Sequence, residues 1–246
     1  MVRLFLRIPM RIFLFLSVFI LLTAAFSSIW IQHARTEVSA DFSPASYVFV
    51  LDAGHGGEDG GATTADGVRE SGINLAVTLK LDDLSHLLGL PTVLVRSTDT
   101  AVYSSGCQTF SEKKVSDLHN RARLVNETAQ GFLVSIHQNQ FPESKYTGAQ
   151  VFYNSVAPAE HAAKMLQADL IAFLDPANNR QAKSASETIF LMREITKPGI
   201  LVECGFLSNP QEAAKLQESE YQTKLALVIA SALYELSPKE TQENEI

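Results

Sequence analysis

Short runs of β-branched and aromatic residues alternate along this chain with longer segments of helical periodicity, and that alternation leaves few architectures open. "YVFVLD" (47–52), "PTVLVR" (91–96), "GFLVSIH" (131–137), "GAQVFYN" (148–154), "ETIFLM" (187–192) and "GILVECG" (199–205) read as strands. Between them, 71–89 carries apolar residues at Ile73, Val77, Leu81, Leu84 and Leu88 before a terminating glycine, and 114–129 has an apolar face at Val115, Leu118, Ala122 and Val125. Further helices are predicted over 157–174, near 210–217 and over 220–236. Strands that alternate with helices predict an α/β fold: one domain, residues 47–236, with a central, mostly parallel sheet flanked by helices on both faces.

The remainder of the 246 residues divides simply. Ile12–Ile31 is 20 residues without a charge, long enough to cross a hydrocarbon core. Every charged residue before Glu37 is an arginine (Arg3, Arg7, Arg11 and Arg35), which places the amino end in the cytoplasm and sends the rest across. Residues 1–31 are therefore a membrane anchor or a cleaved signal peptide; "TAAFSS" offers small residues to a signal peptidase, and the two alternatives stand level. Residues 32–46 read as a linker and 237–246 as a polar tail. The protein is expected to work outside the cytoplasm. Beyond Glu37 it is acidic, which excludes nucleic-acid binding through a basic patch. Cys107 and Cys204 are too few for a disulfide framework, and one bridge or two free thiols both remain open.

Functional loops in such sheets lie at the carboxyl ends of strands. Three strands end unusually, "VLDAGH" at His55, "LVSIH" at His137 and "ILVEC" at Glu203, and a loop delivers Glu70 where the first long helix begins. The glycine-rich "VLDAGHGGEDGG" suggests a phosphate cradle, but it lacks the P-loop lysine and its spacing breaks G-x-G-x-x-G at Asp59. Two imidazoles and a carboxylate are instead a set that zinc accepts, with a fourth position left for water. Glu203, on a run that reads as fully buried, needs a partner or a task, and general base is the task that fits. Simpler uses exist for the others: His55 as a left-handed turn residue, His137 as a core histidine, Glu70 as a first-turn acid facing the helix dipole. Glu58 and Asp59 read as solvated loop acids.

Six motifs, "VLDAGHGGEDGGA", "GVRESGINLAVTLKL", "VRSTD", "DLHNRARLVN", "LVSIHQN" and "ILVECGFLSNP", together resemble the zinc-dependent N-acetylmuramoyl-L-alanine amidase family over residues 47–236. The resemblance implies Zn2+ held by His55, Glu70 and His137, with Glu203 catalytic. It implies hydrolysis of the amide between the lactyl group of N-acetylmuramic acid and L-alanine of the peptidoglycan stem peptide. Within the family the chain looks most like the short spore-cortex, germination-type amidases, which implies a part in cortex modification and muramic-lactam formation. Gln138 departs from relatives that carry a small residue after the histidine. Asn74 and Asn139 are candidates to orient ligands or substrate, Arg193 to reach substrate, and Arg69 to meet a stem-peptide carboxylate. Expected partners are peptidoglycan, an accessory activator protein, and the membrane if the amino-terminal segment stays. The rivals are an amidase-like domain that binds peptidoglycan without cutting it, and a zinc carboxypeptidase acting on the stem peptide.

Overall fold

The computed structural model describes residues 47–237; the expected anchor or signal, the linker and nearly all of the tail lie outside the described residues. Among the described residues no helix is long and apolar enough to cross a membrane.

Six strands form one sheet: β1 (Val48–Ala53), β2 (Thr92–Leu94), β3 (Gly131–Asn139), β4 (Gln150–Tyr153), β5 (Lys183–Ser184) and β6 (Gly199–Phe206). Their order is β2-β1-β3-β6-β4-β5, and every neighbouring pair is parallel except β4 against β6. The three central strands read as continuous apolar runs because both of their faces are covered. On one face, Phe49, Leu51, Phe132, Val134, Ile136 and Val202 pack against α1 (Glu70–Leu87), α3 (Ala159–Phe173), α5 (Pro210–Gln217) and α6 (Ser219–Leu236). On the other, Val50, Leu133 and Leu201 meet α2 (Phe110–Glu127) and the short α4 (Phe190–Glu194).

Two local details differ from the sequence expectation, and one open alternative is resolved. The 187–192 run is not a strand: Phe190–Glu194 is helical, and the neighbouring edge strand is the polar pair Lys183–Ser184. Helix α2 starts one turn earlier than its apolar stripe, because Thr109 and Glu112 form a reciprocal capping box. Cys107 and Cys204 are not bridged, and Cys204 is a buried core residue.

Candidate active site

The carboxyl ends of β1, β3 and β6 are adjacent, so the sheet brings His55, His137 and Glu203 to one edge; His137 and Glu203 are register partners. Glu70 is the first residue of α1 and is nearly inaccessible. Its Oε1 lies 3.0 Å from His137 Nδ1 and its Oε2 lies 3.3 Å from His55 Nε2. One donor atom from each of the three falls within 4.8 Å of the others. Tetrahedral zinc with bonds of about 2.0–2.1 Å sets its ligand atoms roughly 3.3 Å apart, so this donor set fits the ion, and both rings remain one-fifth exposed toward the approach.

Each of these side chains is fixed by the local backbone. His55 sits at φ 61°, in the left-handed region, so the turn reading holds, and that turn leaves the ring beside Glu70. Strain of that kind persists only when the surroundings over-determine it. Here the carbonyls of Ala53, Gly54 and His55 all accept hydrogen bonds from two buried guanidiniums: Arg96 donates to Ala53 and Gly54, and Arg121 to Ala53 and His55. Asp59 accepts from His55 Nδ1 at 3.0 Å and so fixes the tilt of the ring, as second partners of metal-binding histidines do. Burial opposes a proton on His55, but the hydrogen bonds its ring donates to Asp59 and Glu70 outweigh it and raise its pKa to about 9.

Glu70 is satisfied from several sides. Its Oε2 accepts from the Ala62 amide, and its Oε1 accepts from the Gln138 amide and from Asn74 Nδ2. Asn74 also donates to the Gly54 carbonyl, and its own Oδ1 accepts from Gln138 Nε2. Gln138 is buried, so its place in this network is to hold Asn74, not to meet solvent.

Glu203 stands apart from that network. Its Oε2 is buried without a hydrogen-bond partner, and it lines a cleft of about 280 Å³ together with His55, His137, Asp59, Lys114, Leu118 and Ile189. Burial pushes its pKa up to about 7; the imidazole of His137 pulls the other way, and Glu70 adds to the rise. A carboxyl poised near neutrality in a cleft is suited to accept a proton and then return it.

Gly54 shows how closely the site is built. A Cβ there would lie 2.2 Å from Cε1 and Nε2 of His137, so only glycine leaves that ring its place. Gly54→Ala is expected to weaken zinc binding by at least about 10–100-fold, the cost typical of disturbing what supports a metal ligand. A chelator-competition titration measures it, and wild-type affinity would refute the close fit.

The remaining candidates scatter. Asn139 is half-buried on the bulge at the end of β3. Arg69 turns to the Gly57 and Glu58 carbonyls and pins the loop. Arg193 pairs with Glu194 and lines a separate small pocket beside Glu187. Asp59, a solvated acid on the sequence alone, is instead a partner of His55; the spacing of four residues between them is the signal that sequence reading missed. It also missed Arg96 and Arg121.

The family model described as N-acetylmuramoyl-L-alanine amidase matches residues 49–235. The chain belongs to the N-acetylmuramoyl-L-alanine amidase family. Among relatives of this amidase, the germination-specific N-acetylmuramoyl-L-alanine amidase of Bacillus subtilis is 37% identical over 188 residues, covering 76% of each chain. The structure of the CwlD amidase from Clostridioides difficile, in complex with the GerS lipoprotein, is 37% identical with a TM-score of 0.73 and covers 77% of this chain and 97% of that one. The catalytic domain of the amidase CwlV from Bacillus (Paenibacillus) polymyxa is 28% identical with a TM-score of 0.64, covering 77% of this amidase and 97% of that chain.

Proposed function

We propose that this amidase acts outside the cytoplasm as a zinc-dependent hydrolase of the bond between the lactyl carbonyl of N-acetylmuramic acid and the L-alanine nitrogen, in spore-cortex peptidoglycan. The observation that carries the reading is the facing of His55, Glu70 and His137 by an unpartnered Glu203 across one open cleft. The name of the Bacillus subtilis relative supports the germination setting, in which stripping the peptide would precede muramic-lactam formation. The lipoprotein bound to the Clostridioides difficile relative supports an accessory partner here too. The run of arginines ahead of the apolar segment 12–31 supports export.

His55, Glu70 and His137 would hold the ion. When bound there, zinc lowers the pKa of a water molecule and polarises the carbonyl to be attacked. Glu203 Oε2 takes the proton of the attacking water and returns it to the leaving L-alanine nitrogen, so no covalent intermediate on Ser135 or Cys204 is required. Asp59 and the Asn74–Gln138 pair keep His55 and Glu70 from turning as charge moves.

The test is digestion of purified cortex peptidoglycan by the full chain, with zinc, with chelator, and with zinc restored, followed by mass analysis of the fragments. New L-alanine amino ends that vanish on chelation and return with zinc are expected. Free carboxyl-terminal amino acids would mark a stem-peptide carboxypeptidase, and sedimentation with the wall without cleavage would mark a binding protein.

A further inference from the structure

The cleft beside His55 is acidic: Asp52, Asp59, Asp117 and Glu203 line it, against Lys114 and Arg121. Arg121 has no donor to spare, since its guanidinium is held by Asp52, Asp117 and the carbonyls of Ala53 and His55. Several cations outside the cleft are engaged as well. Arg69 is bound to loop carbonyls, Arg96 to the carbonyls of Ala53, Gly54, Ser71 and Thr98, Lys113 to Glu58, and Arg193 to Glu194. Lys114 differs. It is 44% exposed and makes one contact, at 3.1 Å, with Asp59, which is itself bound to His55. An exposed pair of this kind contributes only about 0–1 kcal/mol, so the ammonium is free to share its remaining donors with a ligand.

Building on the amidase reading, we infer that Lys114 selects substrates with a free carboxylate on the residue that follows L-alanine. Its ammonium lies two hydrogen bonds from the face of His55 that is turned away from Glu70. In an extended stem peptide, the carboxylate of that next residue lies about 7 Å from the scissile nitrogen, two residues of chain at roughly 3.3–3.6 Å each. Lys114 lines the same cleft as His55, His137 and Glu203, so a peptide lying along that cleft comes within reach of its ammonium. With the donors of Arg121 all taken, Lys114 is the lining side-chain cation left to meet a peptide carboxylate, beside the charge that zinc would bring.

Two synthetic substrates test this: N-acetylmuramoyl-L-alanyl-D-isoglutamate and its isoglutamine counterpart, which differ only in that carboxylate. The full chain loaded with zinc is expected to favour the acid by about tenfold in kcat/KM, expressed in KM. Lys114→Met removes the preference by slowing the acid alone, Lys114→Arg keeps it, and Lys113→Met, one residue away and paired with Glu58, also keeps it. Equal use of both substrates by the wild type, or a Lys114→Met variant that loses kcat equally on both, overturns the inference while leaving the amidase reading intact. The second of these results would make Lys114 a support for Asp59. Cleavage of neither substrate, with zinc bound, overturns both readings.

Discussion

Glu203→Gln is expected to slow amide cleavage by about 10²–10⁴-fold, the usual worth of a positioned acid–base group, while zinc affinity and melting temperature stay close to wild type. Glu203 makes no hydrogen bond through Oε2, so an amide of the same shape breaks none there, and it lies outside the hydrogen-bonded set around Glu70. What the amide cannot do is accept the proton of water. Initial rates on a muramoyl dipeptide, beside a metal titration of the same preparation, separate the two properties. A variant that keeps its rate would move proton transfer to another group; one that loses zinc would make Glu203 part of the metal shell.

Arg121→Leu is expected to have the largest effect on stability. The Arg121 side chain is 2% exposed, and it binds Asp52 and Asp117 as well as two backbone carbonyls. Breaking a buried ion pair from one side typically costs about 3–5 kcal/mol, because the partner charge is left uncompensated. For a domain of this size that is a fall in Tm of about 6–20 °C. The same network sets a pH limit. Burial alone would raise the pKa of Asp52, but Arg121, with Ser135 donating to the carboxylate, outweighs burial and holds it below the ordinary value. A carboxyl lowered in the folded state contributes stability above its unfolded pKa of about 4 and loses it as pH falls through the folded value, so the wild type is expected to weaken below about pH 4. Arg121→Leu flattens that acid limb; thermal melts from pH 7 to pH 3 on both proteins check it.

The parallel core strands and the residues at their ends were legible because both follow from short-range rules. A strand covered on both faces must be continuously apolar, so a histidine or glutamate closing such a run stands out. What supports those residues was not legible. Arg121 lies on a helix that the sequence marks only by an apolar face at Val115, Leu118, Ala122 and Val125, and only the fold shows that it points inward beneath His55. Asp59 and Gln138 gain their meaning from contacts with His55 and Asn74 that the loop and the strand pairing create. The 187–192 run failed for a different reason: six residues of mixed β-branched and aromatic character fit a strand or one helical turn equally well, and packing of Leu191 and Met192 into the core decides for the helix.

The sheet order has a consequence for a chain made from its amino end. His55, Glu70 and His137 have all been synthesised by the close of β3, yet β6 lies between β3 and β4 and is the last strand in the sequence. The middle of the sheet is therefore completed late, and Glu203 arrives with the strand that completes it. A nascent or truncated chain ending before Gly199 carries the three proposed zinc ligands without the proposed base. On that reading the amidase is without its acid–base group until most of its length has been made.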